Sequence, residues 1–244
     1  MSYPVIHWAG DSTVKKNNIN TYPQSGIGQY FGLFLKPFVF ICNHEENGRS
    51  TKSFIDEGRV KAIEDNIKEG DFLFVQFGHN DEKQKDPSRY TEPYGAYTEN
   101  LKMFCDLARS KGAFPLLITP VYRRCFEDDK RSLMPFSHLD YPEAMLAFAK
   151  KEGVPCIDLC GLSRDLIEKA GFEETKTWFM HIKAGEYKAF EEQTDNTHLK
   201  PKGAIIFGSL IADELRKLGS PYSDILIPLE KASSYSEIAL YGIV

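Results

Sequence analysis

The stretch Val5-Ile6-His7-Trp8-Ala9-Gly10-Asp11-Ser12-Thr13-Val14 decides how this chain is read. Its apolar first half reads as a short buried strand, and Gly10-Asp11-Ser12 turns the backbone at the strand's carboxyl end. In open α/β sheets that end is the edge where ligands bind. Gly10 permits a sharp turn, and Asp11 and Thr13 can fix it by hydrogen bonds to nearby backbone groups. A serine held in such a turn is either a helix N-cap or a nucleophile. Asp195-Asn196-Thr197-His198, far along the chain, supplies the carboxylate and imidazole that a nucleophile requires, and this favours the second reading.

Outward from that strand, apolar runs recur at residues 37–42, 71–77, 114–119 and 154–159, with the first at 4–9. Between them, helical spacing runs over 27–35, 59–67, 94–111, 141–151 and 163–170, and a final helix is expected over 201–218. Strands that alternate with amphipathic helices predict a parallel sheet covered on both faces. Glycines at 70, 112, 153, 171 and 219 read as helix stops. Three longer stretches, 80–93, 122–140 and 172–195, are expected as loops crowding the active rim. No repeat or linker divides the 244 residues, so a single domain over 1–244 is expected, with an apolar tail from about 220. The segments 225–228 and 238–244 are too apolar to lie free in water. They are expected to pack back on the body or to form a homodimer.

Composition excludes several classes. A net charge of −5 carries no basic footprint, so a nucleic-acid partner is not expected. No apolar run approaches the roughly 20 residues that span a bilayer, and no membrane association is expected. The start of the chain has no basic, apolar leader pattern. The five cysteines form no Cys-x-x-Cys pair, which predicts reduced thiols and a cytoplasmic location.

Four stretches can converge on one rim: Gly10-Asp11-Ser12, Asn47-Gly48-Arg49-Ser50, Gly78-His79-Asn80-Asp81 and Asp195-Asn196-Thr197-His198. Ser12 becomes a nucleophile when His198 takes its proton, and Asp195 can accept the other imidazole N–H and fix the tautomer. The oxyanion then needs donors, for which the N–H groups of Ser12 and Gly48 and the Asn80 side-chain amide are candidates. One such donor is typically worth about 3 kcal/mol in the transition state. A glycine at 48 lets substrate approach the backbone N–H closely.

These four blocks, in this order, resemble those of the GDSL or SGNH hydrolases, over residues 4 to about 218. Within that superfamily the chain is most similar to the rhamnogalacturonan acetylesterases. The similarity rests on Asn43-His44-Glu45-Glu46-Asn47-Gly48-Arg49-Ser50, Phe74-Val75-Gln76-Phe77-Gly78-His79-Asn80-Asp81 and Asp195-Asn196-Thr197-His198-Leu199. Thr119-Pro120-Val121-Tyr122-Arg123-Arg124 and Met180-His181-Ile182-Lys183-Ala184-Gly185-Glu186-Tyr187 add to it. The resemblance implies a three-layer α/β/α sandwich, flavodoxin-like, on a five-stranded parallel sheet. It implies a catalytic Ser12, Asp195 and His198, and an oxyanion hole of Ser12, Gly48 and Asn80. The implied reaction is cofactor-free, metal-free removal of acetyl groups from pectin-type oligosaccharides through an acetyl-enzyme. Secreted fungal relatives carry a leader and disulfides, so the chain resembles the bacterial intracellular branch.

Other readings are weaker. His79, Asp81, Asp195 and His198 could hold a metal, but no paired-ligand spacing supports it. Gly26-Ile27-Gly28-Gln29-Tyr30-Phe31-Gly32 has the wrong spacing for a dinucleotide loop, and no Gly-x-Ser-x-Gly occurs. His7 is expected to pack within its strand, His44 to be a solvated loop residue, and His79 to hold the turn that aims Asn80. Arg123 and Arg124 either meet a uronate carboxylate or are surface charge. Trp178, Phe179, His181 and Tyr187 either stack on sugar rings or pack a long loop. Action on another acetylated glycan, a lipid or a thioester stays open, as does a non-catalytic carbohydrate-binding protein. A lipid or thioester enzyme would need a wide apolar cleft.

Overall fold

The computed structural model describes residues 3–188 and 190–228. In chain order the strands are β1 (Val5–Gly10), β2 (Phe40–Asn43), β3 (Phe72–Gln76), β4 (Phe114–Ile118), β5 (Cys156–Ile157), β6 (Phe179–Ile182) and β7 (Gln193–Leu199). The helices are α1 (Ile27–Tyr30), α2 (Thr51–Asp56), α3 (Arg59–Glu64), α4 (Thr98–Ser110), α5 (Tyr141–Glu152), α6 (Leu159–Ala170), α7 (Phe172–Thr175) and α8 (Pro201–Leu218). The chain forms two compact units. One takes residues up to 12, 37–120 and 138–158; the other takes 13–36, 121–137 and residues from 159 onward.

The first unit holds the expected five-stranded parallel sheet, in the order β2-β1-β3-β4-β5. This is the flavodoxin-like order, in which the connections leaving β1 and β3 diverge and open a crevice at their carboxyl ends. Ser12 follows β1 and Gly78-His79-Asn80 follows β3, so topology alone brings these two turns to that crevice. β3 is buried along its whole length, as its apolar run Phe72-Leu73-Phe74-Val75 requires. On one face of the sheet, Ala9, Leu73, Val75, Phe77 and Leu117 pack with Phe54, Leu101, Phe104 and Met145 from the helices. Phe77 lies edge-on to Phe54 at 5.4 Å and stacks on Phe104 at 5.8 Å.

The second unit is built on α8, whose ends match the expectation, with Pro201 in its first turn and Gly219 at its carboxyl end. Two small residues on α8 permit close packing. A Cβ on Gly203 would lie 2.3 Å from the Trp178 carbonyl oxygen, and one on Gly208 would meet the Phe34 ring at 3.2 Å. Trp178 packs edge-on to Phe207 of α8, 5.9 Å between ring centres. Leu226 bridges to Leu35, and the Ile227 N–H donates to the Phe34 carbonyl, so the start of the apolar tail lies back on this unit. Residues 238–244, the other segment expected to pack back on the body or form a homodimer, lie outside the described residues.

Three segments differ from expectation. Residues 51–56 form a helix, started by a capping box in which Ser50 accepts from the Ser53 N–H and Ser53 accepts from the Ser50 N–H. Residues 27–35 divide into α1 and a tighter turn over Phe31–Phe34. The stretch 172–195, expected as a loop, carries α7 and the β6–β7 pair. β7 is Gln-Thr-Asp-Asn-Thr-His-Leu. With six polar residues, it gives no hydrophobic alternation to read as a strand.

Candidate active site

Within the first unit, Ser12 sits in the turn directly after β1 and is 6% exposed. Its neighbour Asp11 is buried, with Oδ2 3.3 Å from His79 Nδ1. His79 lies edge-on to His138, 4.4 Å between ring centres, and His138 Nδ1 lies 3.4 Å from Glu82 Oε2. His79 therefore links the serine turn to the turn carrying Asn80, the structural task expected of it. Gly78 in that turn has φ +149°, and a Cβ there would come within 2.8 Å of Pro120 Cγ. Glycine is required at this position by both space and conformation.

The Asn80 side-chain amide donates to the Arg49 carbonyl at 3.1 Å, and its oxygen accepts from Arg89 at 3.5 Å. These two contacts define which end of the amide is the donor. They also tie Asn80 to the segment that carries Gly48. Gly48 has φ +74°, and a Cβ there would lie 3.3 Å from Arg89 Nη1. Its glycine thus has a conformational reason beside the expected close approach of substrate.

Asp81 braces the same segment. Its Oδ1 accepts from the Thr51 N–H at 3.0 Å, the Thr51 hydroxyl at 2.5 Å and the Thr91 hydroxyl at 3.0 Å. Burial pushes its pKa up to about 7, against these hydrogen bonds. The Tyr141 hydroxyl donates to the carbonyls of Asp81 and Thr91. A cavity of about 380 Å³ in this unit is lined by Gly48, Arg49, Lys52, Ser53 and Arg89 among others. Its cations are balanced locally: Arg49 pairs with Glu57 at 2.9 Å, and Arg89 with Asp86 at 2.9 Å.

Within the second unit, Asp195 and His198 lie in an irregular part of the β6–β7 ladder. Phe179 pairs with Leu199 but His181 pairs with Thr194, so two steps along β6 face five along β7. The surplus residues of β7 leave the regular pairing as a bulge, a device that re-aims side chains. Asp195 closes the bulge on itself. Its Oδ1 accepts from the N–H groups of Thr197 (2.8 Å) and His198 (3.0 Å), while Oδ2 accepts from His198 Nδ1 at 2.6 Å. Burial works to raise the Asp195 pKa, but the hydrogen bond and charge of His198, with the two backbone donors, bring it down to about 2. The carboxylate is ionised at neutral pH and holds the imidazole proton on Nδ1. In the neutral ring Nε2 then carries the lone pair, as a general base requires.

The proposed substrate-facing residues divide. Arg124 is 2% exposed. Its guanidinium donates to Thr175 Oγ1 at 2.9 Å, to the Phe172 carbonyl and to Asn196 Oδ1, and lies over the Phe172 ring at 4.5 Å. It is a brace for the Asp195–His198 bulge, not an exposed carboxylate receptor. Trp178 is likewise buried, and its indole N–H donates to Glu174 at 3.3 Å, so it packs the unit. His181 Nε2 lies 2.7 Å from Asn196 Oδ1 and supports the bulge from β6. Arg123 is half-buried and donates to the Ser137 carbonyl. Tyr187 is half-buried beside Tyr22, with 5.9 Å between ring centres. His44, expected to be solvated, is half-buried against His7.

Sequence reading missed His138, Glu82, Arg89, Thr51 and Thr91. The first two lie in or beside loops without a motif, and nothing local signals their meeting with His79. Arg89 could have been suspected only as a cation in the loop after the third block.

A family model, GDSL-like lipase/acylhydrolase, matches residues 8–211. The chain belongs to this family and is a carboxylic ester hydrolase of the serine type. The rhamnogalacturonan acetylesterase RhgT of Bacillus subtilis is 40% identical over 234 residues, 94% of this chain and 97% of that protein. The probable rhamnogalacturonan acetylesterase YesY of the same organism is also 40% identical, over 91% of this chain and 97% of its own length. Among solved structures, YxiM of B. subtilis superposes with a TM-score of 0.76 at 25% identity, covering 89% of this chain. The chain spans 57% of that structure.

Proposed function

We propose that this protein is a serine esterase that removes acetyl groups from rhamnogalacturonan-type oligosaccharides. The observation that carries the substrate is the 40% identity to RhgT and YesY across more than nine-tenths of both chains. In this reading Ser12 Oγ attacks the acetyl carbonyl carbon while His198 Nε2 takes its proton. Asp195 stabilises the imidazolium. The N–H groups of Ser12 and Gly48 and the Asn80 amide receive the oxyanion. The tetrahedral intermediate collapses by breaking the bond to the sugar oxygen, which leaves with the proton from His198. Water, deprotonated by the same histidine, then cleaves the acetyl-enzyme to acetate and regenerates Ser12.

The cavity beside Gly48 supports a sugar over a lipid. Arg49, Lys52 and Arg89 line it beside Asp56 and Glu57, and this polar lining suits a hydroxyl-rich chain and disfavours an acyl tail. The test is acetate release from acetylated rhamnogalacturonan oligosaccharides beside 4-nitrophenyl acetate and acetylated xylan. Turnover of the first at a higher kcat/KM than the xylan supports the assignment. Turnover of 4-nitrophenyl acetate alone keeps the esterase and removes the pectin substrate.

A further inference from the structure

β1 and β2 run parallel, and their register sets Cys42 beside His7. Register partners on adjacent strands point to the same face, and residues two apart along one strand share that face. His44 follows Cys42 by two, and its N–H donates to the Trp8 carbonyl, continuing the β2 edge. One ring nitrogen from each imidazole and the Cys42 Sγ all lie within 4.8 Å of one another. His7 Nδ1 and His44 Nε2 are 3.0 Å apart, with the rings nearly parallel at 18°. On the far side of His7, Nε2 lies 3.7 Å from the buried Asp71 carboxylate. Asp71 is itself held by the N–H groups of Val5 and Lys68. A carboxylate behind the remote nitrogen is the usual support of a metal-bound imidazole.

We propose that His7, Cys42 and His44 form a binding site for one zinc-class divalent cation, with Asp71 orienting His7, separate from the residues assigned to ester cleavage. Two imidazoles and a thiolate are a borderline-soft donor set, which suits zinc and disfavours magnesium or calcium. Tetrahedral zinc with these ligands needs donor separations of about 3.3–3.6 Å. The imidazole pair is already near this spacing at 3.0 Å, and all three donors lie within 4.8 Å of one another, so binding needs a shift of roughly 1 Å. On binding, the Cys42 thiol gives its proton to solvent, and the contact between the imidazoles is replaced by bonds to the cation. Nothing is oxidised or reduced. A water molecule completes the coordination, and the expected role is to pin edge strand β2, which leads on to Gly48.

The test uses untagged full-length protein, stripped with chelator, titrated with Co²⁺ as a spectroscopic probe and with Zn²⁺ by calorimetry. The expected result is one ion per chain, a near-ultraviolet thiolate-to-cobalt charge-transfer band, and a melting temperature raised by Zn²⁺. Cys42→Ser should remove the band, and His44→Ala should weaken Zn²⁺ binding by about tenfold or more. Circular dichroism of both metal-free variants checks that they fold. Absence of the band in the wild-type protein overturns the proposal whatever the variants do. So does a band retained in folded Cys42→Ser, which would assign the ion to the other thiols.

Discussion

At the scale of single residues, the donors and the dyad make separable predictions. In the proposed mechanism Asn80→Ala removes one oxyanion donor, and it should lower kcat by about 10²–10³ with little change in KM. Steady-state kinetics on 4-nitrophenyl acetate checks this, and an effect confined to KM would contradict it. Asp195→Asn keeps the shape but can present an amide to His198 Nδ1, favouring the wrong tautomer, and should cost about 10⁴ in kcat. The depressed pKa of Asp195 has a consequence for stability as well. Its folded value of about 2 lies below the ordinary 3.8, so the stability it contributes is complete above about pH 3.8 and is lost as pH falls through about 2. Acid titration of the unfolding midpoint should show wild type losing that increment and Asp195→Asn lacking it. Ser12, Asp195, His198, Gly48 and Asn80 can be named as candidates from the sequence because each stands in a short block with its own chemistry. The roles of Arg124 and Trp178 cannot be read this way, because an arginine in a loop reads the same whether it meets a ligand or braces a strand. Only the partners Thr175, Phe172 and Asn196 show that Arg124 is turned inward.

At the scale of elements, Asp81 joins α2 to the turn after β3. Its pKa is raised from 3.8 to about 7 by burial. The stability contributed by the protonated carboxyl is therefore complete below about pH 3.8 and is lost as pH rises through about 7. Urea unfolding between pH 5 and 8 should show wild type losing stability relative to Asp81→Asn as pH rises; parallel curves would contradict the assignment. Phe77, packed against Phe54 and Phe104, should cost about 3–5 kcal/mol on truncation to alanine, read from the same unfolding curves. The five parallel strands were legible because buried parallel strands are continuous apolar runs. Helix α8 was legible to the residue because proline and glycine mark its ends. The β6–β7 ladder was hidden, since its second strand is polar and its register is interrupted by the bulge that carries Asp195 and His198.

At the scale of the whole molecule, the fold class and the family follow from different observations that agree. The strand order β2-β1-β3-β4-β5 places the turns after β1 and β3 at the divergence of the sheet. The family model independently covers residues 8–211. Among the described residues no helix is long and apolar enough to cross a membrane. The two compact units are each assembled from segments distant in the chain, and no linker composition marks them. The proposed mechanism also constrains the pH profile. In it His198 must be neutral to accept the serine proton, so kcat/KM should fall on the acid side with a single protonation, and a flat profile from about pH 5 to 8 would count against a histidine base. The most direct test of the central claim is acetate release from acetylated rhamnogalacturonan oligosaccharides by the wild-type protein beside Ser12→Ala. The account predicts steady release by the wild type and a loss of at least about 10³ in kcat in the variant; equal rates in the two proteins, or none in the wild type, would contradict it.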